Sequence, residues 1–246
     1  MSYKNIPRLY INKALKSDLE ILLEVKDTHY LRNVLRLKDK NILRVFNGVD
    51  GEWEALILDR FCKKIKCVKK NKEQSFTEGP CLYFSLIKGH NLRWLLEKAT
   101  ELGVKELQPI ITDRVNIRSF NYQKAVTHLK ESSQVSERLD LPKLYQLKTL
   151  KEALLELKNK SQKAIFCNES RNDVYLSNYL TNNFSKKISF IVGPEGGFSD
   201  KEIKFIKAQP NIQSVKIHDR ILRAETAVVL IISIYKNFLI TESKVN

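Results

Sequence analysis

Ile188-Ser189-Phe190-Ile191-Val192 leads directly into Gly193-Pro194-Glu195-Gly196-Gly197-Phe198-Ser199-Asp200, which belongs to the most informative part of the chain. A second loop, Arg220-Ile221-Leu222-Arg223-Ala224-Glu225-Thr226, follows Val215-Lys216-Ile217 one strand-and-helix unit later. Each loop comes after a short β-like run and precedes a helical pattern, which is where open α/β sheets place ligand sites. We therefore expect the functional site to lie at these two loops.

The first loop has the composition of a tight, rigid turn. Pro194 fixes its φ at about −65°, while Gly196 and Gly197 allow positive φ and close approach of the backbone to a ligand. Ser199 and Glu202 predict a capping box at the start of the next helix. The residues alone leave an ordinary strand-to-helix turn as an alternative. They exclude two phosphate-binding loops, because no lysine follows the glycines and G-x-G-x-x-G is absent.

The second loop places charges at the start of a helix that is apolar on every side. Arg220, Arg223 and Glu225 precede Ala227-Val228-Val229-Leu230-Ile231-Ile232, and a helix of that composition is typically buried. Charges at its N-terminus need a partner, which is another side chain, the helix N–H groups or a ligand. An ion pair between Arg223 and Glu225 that caps the helix is the structural alternative to a ligand site.

The two loops together resemble the SPOUT class of S-adenosylmethionine-dependent RNA methyltransferases, and most closely the bacterial family that methylates N3 of a uridine in 16S ribosomal RNA. The motifs that carry the resemblance are G-P-E-G-G-F-S at 193–199, D-R-I-L-R-A-E-T-A at 219–227, E-K-A-T-E-L-G-V at 97–104, H-Y-L-R-N-V-L-R-L at 29–37 and F-N-G at 46–48. They extend over nearly the whole chain, and the two C-terminal motifs are the specific ones.

The chain departs from the pattern of that family at two places. Ser133-Gln134-Val135-Ser136-Glu137-Arg138 replaces a Glu-Gln-Ser-x-Arg run, so that only Ser136 and Arg138 fit. His218 stands where a glycine is common. The role of the divergent segment 131–142 therefore stays open.

The resemblance implies an α/β fold: a trefoil-knotted SPOUT methyltransferase domain with a small N-terminal PUA-like β-barrel domain. It also implies a homodimer with the site at the interface, and S-adenosyl-L-methionine as the cofactor. The knot would build the cofactor pocket from 166–170 and the two loops. The implied cofactor-binding residues are Phe166, Cys167, Asn168, Val192, Gly193, Pro194, Glu195, Gly196, Gly197, Ile217, Arg220, Ile221, Leu222, Arg223 and Thr226.

The implied reaction assigns roles to three charged residues. Methylation of uracil N3 removes the proton of a weakly acidic imide, so negative charge must be stabilised on the ring oxygens. We expect Arg223 to stabilise that charge, and Glu225 or Glu195 to orient the base or accept the proton. The alternative is that both glutamates only cap helix ends.

The composition favours a polyanionic partner. Lys and Arg number 43 against 28 Asp and Glu, so the net charge is +15, and the isoelectric point is about 9.6. Charge does not distinguish RNA from DNA or an acidic membrane, but the resemblance implies 16S ribosomal RNA or the small ribosomal subunit. The predicted RNA-binding residues are Arg32, Arg36, Lys63, Lys64, Lys66, Lys88, Arg93, Arg114, Arg118 and Arg138. For the basic run 63–72, a merely solvated surface is the alternative.

Three further features predict a cytoplasmic protein without a membrane segment or a metal. The longest strongly apolar run, 227–234, is shorter than the ~20 residues that span a bilayer, and the N-terminus lacks an apolar signal core. The cysteines form no C-x-x-C pair, and the histidines are scattered. We expect no metal site and four reduced, small core cysteines, which are Cys62, Cys67, Cys81 and Cys167.

Hydrophobic periodicity predicts two domains, residues 1–74 and 75–246, which meet in a polar linker. In the first, short β-like pieces surround a helix over 27–37, and Asn47-Gly48-Val49-Asp50-Gly51 marks a hairpin. In the second, strands and helices alternate, which predicts a mainly parallel sheet with helices on both faces. Strands are expected at 81–87, 107–111, 163–167, 188–192 and 214–217, and helices at 91–102, 122–138, 150–158, 200–208 and 224–239.

Two other functions remain open on the sequence. A SPOUT methyltransferase with another acceptor, such as a ribose 2′-hydroxyl, shares the fold and the cofactor and differs in its product nucleoside. A non-catalytic RNA-binding or ribosome-assembly protein would keep the fold and lack affinity for the cofactor. The intact Gly193 and Arg220 loops argue against the second of these.

Overall fold

The computed structural model describes residues 6–115, 117, 119–170 and 172–245, with side chains as far as 242. The chain divides into two compact units. The first is Met1–Thr77 together with Lys130–Leu141, and the second is Glu78–Leu129 together with Pro142–Asn246. Each unit has its own hydrophobic core.

The first unit is built on a mixed five-stranded sheet in the order β1-β3-β4-β5-β2. Its strands are β1 (Arg8–Tyr10), β2 (Glu20–Leu22), β3 (Ile42–Phe46), β4 (Glu52–Ile57) and β5 (Lys64–Lys72). β1 runs parallel to β3, and the other pairs are antiparallel. The predicted hairpin is confirmed: it joins β3 to β4, and Asn47 Oδ1 accepts hydrogen bonds from the backbone of Val49 and Asp50.

The predicted helix over 27–37 is shorter and less regular than expected. It divides into α1 (Val25–His29) and a π-helical turn, Tyr30–Val34. In that turn the Leu35 N–H donates to the Tyr30 carbonyl, which is the five-residue spacing of a π-helix. Arg36 then has a φ of 55°, and a left-handed residue ends a right-handed helix.

A buried ion pair holds the divergent segment 131–142 within the first unit. Arg8 Nε lies 2.5 Å from Glu52 Oε2, and both side chains are buried. The other guanidinium N–H groups donate to backbone carbonyls at 2.8, 2.9 and 3.1 Å, which are those of Ser133, Gln134 and Arg138. Because these acceptors are backbone groups, the contact does not depend on the side chains in which the segment departs from the family pattern.

We expect Glu52→Ala to destabilise the first unit by about 3–5 kcal/mol, because it leaves the Arg8 charge buried without its carboxylate. The matched control is Glu73→Ala, which removes an exposed ion pair with Lys70 and should cost about 0–1 kcal/mol. Urea unfolding followed by tryptophan fluorescence measures both. Equal losses in the two variants would contradict the structural importance of the buried pair.

The second unit is built on a seven-stranded sheet in the order β12-β10-β11-β6-β7-β8, with β9 also paired to β7. Its strands are β6 (Cys81–Ser85), β7 (Glu106–Ile111), β8 (Lys143–Leu144), β9 (Lys148–Thr149), β10 (Ala164–Cys167), β11 (Ser189–Val192) and β12 (Ile212–Val215). These strands pair in parallel, which confirms the predicted parallel sheet. β8 and β9 have two residues each, too few to show a period in the sequence.

Helices cover both faces of this sheet, as the alternating pattern predicts. They are α2 (Gly89–Glu101), α3 (Tyr122–Val135), α4 (Leu150–Asn159), α5 (Leu176–Asn183), α6 (Asp200–Lys207) and α7 (Ala224–Val245). Of α3, only the residues up to Leu129 belong to this unit. α2, α5 and α7 share one core with Phe84 and Phe190, while α4 and α6 share another with Tyr83 and Ile191. Neighbouring strand residues therefore face opposite cores. The sequence pattern missed α5, whose only buried residues are two leucines.

By length and composition alone, α7 could cross a membrane: its mean hydropathy over Ala224–Glu242 is 1.4. A core helix of a soluble protein has the same properties, and 44% of this stretch is buried. Val228, Ile231 and Tyr235 belong to the core of the second unit. We interpret α7 as a core helix. Its outer side carries exposed polar residues such as Ser233 and Asn237, together with Ile240, which is 47% exposed.

Candidate functional site

The loops after β10, β11 and β12 lie together, because parallel strands end at the same edge of a sheet. They line a cavity of about 810 Å³ in the second unit, a size typical of small-molecule sites. Much of the predicted cofactor set lines its wall, namely Cys167, Asn168, Val192, Gly193, Pro194, Gly196, Gly197, Ile217, Arg220, Ile221 and Leu222. The structure thus brings both motif loops and the segment 166–170 to one place.

Four residues of the predicted cofactor set do not line this cavity. Phe166 is fully buried, and its ring packs edge-on against Phe198 at 5.2 Å between centroids. Thr226 is exposed on α7 and lines neither cavity of this unit. Glu195 and Arg223 line a second cavity, of about 560 Å³.

The second cavity shares part of its wall with the first. The residues common to both are Arg114, Pro194 and Gly196. Lys88 lines the second cavity beside Glu195 and Arg223, and its backbone N–H donates to Glu195 Oε1 at 3.3 Å. A group bound in one cavity would therefore lie next to a group bound in the other.

The glycines of the first loop have different roles from those expected. Gly196 and Gly197 both allow positive φ, and of the two only Gly197 has it, at 65°. At Gly196 a Cβ would lie 3.5 Å from the Arg114 Cβ, which is an ordinary contact. The tight position is Gly193, where a Cβ would lie 2.6 Å from the Phe198 ring. The loop therefore needs Gly193 for packing and Gly197 for its backbone conformation.

A network of hydrogen bonds joins the first loop to the loop after β7. The predicted capping box between Ser199 and Glu202 is confirmed. The Glu202 carboxylate also accepts the Asp113 N–H at 2.8 Å, and Ser199 Oγ donates to the Asp113 carboxylate at 2.6 Å. Next to Asp113, Arg114 Nη1 donates to the Gly196 carbonyl at 3.2 Å. The network thus fixes the segment that brings Arg114 to both cavities.

Asp173 organises a polar cluster beside the first cavity that the motifs did not reveal. Its Oδ2 accepts hydrogen bonds from Ser214 Oγ at 2.6 Å and from Asn168 Nδ2 at 3.3 Å, and Lys207 Nζ lies 3.3 Å away. Burial opposes ionisation, but the Ser214 hydrogen bond and the Lys207 ammonium outweigh it and lower the pKa of Asp173. Asn168 and Lys207 also line the cavity, so an ionised Asp173 orients part of its wall.

The cysteines behave as small core residues. All four are free thiols, and Cys62, Cys67 and Cys81 are buried, as predicted. Cys167 lines the first cavity, but burial raises the pKa of its thiol well above the usual range. The Cys167 side chain therefore stays protonated at neutral pH and is a poor nucleophile.

The structure separates Glu225 from the other two predicted catalytic residues. Glu225 is buried and lines neither cavity. Its Oε2 has no hydrogen-bond partner within the described residues. No ion pair with Arg223 occurs there either, which removes the capping pair considered above. Arg223 is exposed and shares the second cavity with Glu195.

Eight of the ten predicted RNA-binding residues fall into three groups. Those of the first unit with exposed side chains are Arg32, Arg36, Lys63 and Lys64. Lys88 and Arg114 line the second cavity. The third group has carboxylate partners: Lys66 pairs with Asp18 at 2.8 Å, and Arg93 pairs with Glu97 at 2.6 Å.

Two predicted RNA contacts need separate treatment. Arg138 is buried, and its Nε lies 2.8 Å from Asp140 Oδ1. The guanidinium is thus used inside the first unit, and a role for Arg138 in RNA binding stays a prediction. Arg118 lies outside the described residues.

We expect Gly193→Ala and Gly196→Ala to differ sharply. The first pushes a methyl group into the buried Phe198 ring and should cost about 1–3 kcal/mol, as overpacking does. The second meets only ordinary contacts and should change stability by less than about 1 kcal/mol. Melting temperatures of the two variants measure the difference. A Gly193→Ala variant as stable as wild type would show that the loop repacks freely.

Comparisons with known proteins agree with this architecture. Residues 78–236 match a family model described as an RNA methyltransferase domain, and 23–66 match an RNA methyltransferase PUA domain. The chain is 32% identical to ribosomal RNA small subunit methyltransferase E of Rickettsia conorii, over 92% of this chain and 93% of that protein. The protein of the same name from Synechocystis is 30% identical, over 89% and 74%.

The fold is also found in a solved structure. Ribosomal RNA small subunit methyltransferase E from Neisseria gonorrhoeae, bound to S-adenosyl methionine, superposes with a TM-score of 0.82. Its sequence is 24% identical, and the match covers 95% of this chain and 98% of that one. At that level of sequence identity, the superposition supports the fold alone.

Proposed function

The chain belongs to the RNA methyltransferase family that includes ribosomal RNA small subunit methyltransferase E, and we propose that it methylates N3 of a specific uridine in 16S ribosomal RNA with S-adenosylmethionine. The observation that carries the proposal is the pair of cavities with a common wall. Methyl transfer requires donor and acceptor side by side. Two adjoining cavities, one of them lined by Arg223 and Glu195, meet that requirement.

We assign the first cavity to the cofactor. The backbone of 193–197 borders it, and Val192, Ile217 and Leu222 supply apolar wall for a nucleoside. S-adenosylmethionine held there would supply the methyl group for transfer from its sulfonium to N3. The resemblance further implies that these loops form a trefoil knot, and the knot is part of the proposal.

We assign the second cavity to the uracil base. Arg223 and Arg114 donate hydrogen bonds to the ring oxygens and stabilise the negative charge that develops as N3 loses its proton. Glu195 accepts that proton, because its carboxylate borders this cavity whereas Glu225 is buried outside it. Arg114, first predicted as an RNA contact, thereby becomes a residue that touches the reacting base.

RNA binding extends beyond the cavities. We propose that the first unit, which includes the PUA match, holds phosphates through Arg32, Arg36, Lys63 and Lys64, and that Lys88 continues this contact toward the base. A ribosomal RNA or small-subunit substrate places the protein in the cytoplasm. The domain boundary between residues 74 and 75 stays a prediction.

We also propose a homodimer in which the partner covers the outer side of α7. Ile240 is 47% exposed on that side, next to the exposed polar residues Ser233 and Asn237. Glu225 Oε2, buried without a partner among the described residues, would gain donors from the second copy. Light scattering over a range of concentrations should give the mass of a dimer, and a monomer at every concentration would contradict this part of the proposal.

The decisive assay uses RNA from a strain that lacks this gene. Incubation with the protein and S-adenosylmethionine should produce N3-methyluridine in its 16S ribosomal RNA, detected by mass spectrometry of nucleosides. A 2′-O-methylated nucleoside instead would establish the ribose acceptor. Absence of both product and cofactor binding would leave a non-catalytic RNA-binding protein.

We expect Arg223→Ala to lower the single-turnover methylation rate by about 10²-fold or more, the effect of losing one preorganised donor. Its melting temperature should change little, because the side chain is exposed. The matched variant is Arg220→Ala, because Arg220 lines only the first cavity. It should weaken cofactor binding but change the methylation rate at saturating cofactor much less. A large loss of stability with a normal rate per folded Arg223→Ala molecule would exclude the catalytic role.

A further inference from the structure

The turn between β4 and β5 presents an exposed aromatic ring among three cations. Phe61 is 37% exposed. The Arg60 guanidinium lies 4.5 Å from the centroid of its ring, that of Arg32 lies 5.4 Å away, and Lys63 Nζ lies 5.6 Å away. Within the described residues, none of these cations forms an ion pair with a carboxylate.

The turn is held rigidly, so the ring has a defined position. The Asp59 carboxylate accepts backbone N–H groups of Phe61, Lys63 and Lys64 at 2.8, 3.0 and 2.8 Å. Next to Phe61, Cys62 is fully buried, has a φ of 57°, and donates its N–H to the Asp59 carbonyl. The buried Cys62 anchors the turn in the core, and Phe61 is left on the surface.

The chemistry of this arrangement suits an unpaired nucleotide. Aromatic rings and planar guanidinium groups stack on nucleobases, and neighbouring cations bind the phosphates. Three cations surround one ring, and the single Asp59 carboxylate in the same turn offsets only part of their charge. An anion that joins them is therefore favoured. A base pair inside a duplex hides the faces of its bases, so stacking selects a single-stranded region.

We propose that Phe61, with Arg32, Arg60 and Lys63, forms a stacking site for an unpaired nucleobase of the RNA substrate. The inference rests on the proposed function for the identity of the ligand as RNA. It adds Phe61 and Arg60, which carry no motif, to the RNA-binding surface. It also gives this turn a selectivity for unpaired bases, whereas its positive charge alone would bind any phosphate backbone.

The test measures binding of fluorescein-labelled oligouridine, and of a duplex RNA of the same length, by fluorescence anisotropy. Phe61→Ala should weaken oligouridine binding by about 5- to 30-fold, the loss of one stacked base. Phe61→Trp should retain affinity, and Phe61→Leu should lose it as Phe61→Ala does, because leucine is apolar but has no π face. The matched control is Phe76→Ala, which removes a phenylalanine that is 70% exposed in the same unit and has no cation over its ring in the described chain.

Salt dependence separates stacking from charge. Phe61 variants should keep the wild-type slope of log affinity against log salt concentration. Lys63→Gln should reduce the magnitude of that slope by about 0.7, because it removes one phosphate contact on a single strand. Wild-type affinity in Phe61→Leu, or equal losses for oligouridine and duplex, would overturn the stacking site. Melting temperature and cofactor titration verify that each variant is folded.

The two proposals fail in distinguishable ways. If the wild-type protein methylates 16S ribosomal RNA but Phe61→Ala binds oligouridine normally, only the stacking site is wrong. If no RNA is methylated while the Phe61 series behaves as expected, the proposed reaction is wrong and the RNA site stands.

Discussion

The carboxylate of Glu202 is the contact on which the candidate site depends most. It accepts backbone N–H groups from Ser199 and from Asp113, which belong to loops after two different strands. A buried carboxylate is stable only when such donors surround it, so the two loops cannot separate without exposing or stranding the charge. The glycine loop, Arg114 and the common wall of the two cavities all take their positions from this arrangement.

The sequence predicts contacts between residues that are close along the chain, but not contacts between distant ones. The capping box joins Ser199 to Glu202 within one helical turn, so its residue types predict it. The bond from Asp113 to Glu202 spans 89 positions, and no local pattern encodes it. For the same reason the parallel sheet was predictable from alternating strands and helices, whereas Arg223 and Glu195 were recognised as charged loop residues without any sign that they share a cavity.

Other differences have local physical causes. The pair of glycines allows positive φ at both positions, but residue type does not show which of them has it. It also does not show that Gly193, rather than Gly196, is the position where a Cβ would meet the Phe198 ring. No role for the segment 131–142 could be predicted from its residue types. Arg8 contacts the backbone carbonyl groups of this segment, and every residue has a carbonyl group whatever its side chain. The burial of Arg138 could not be predicted from the sequence, because a basic residue type does not show that Asp140 pairs with it inside the first unit.

The packing of Phe198 beside Gly193 also bears on the thermodynamics of ligand binding. The ring fills the space where a Cβ would be and rests on Phe166 in the core, so the loop loses its conformational entropy when the protein folds. A ligand that binds there orders little further chain, and less of its interaction energy is spent on immobilising the protein. Affinity at this edge of the sheet is thus linked to the stability of the core beneath it: a mutation that loosens the Phe166–Phe198 contact would weaken binding without touching the ligand.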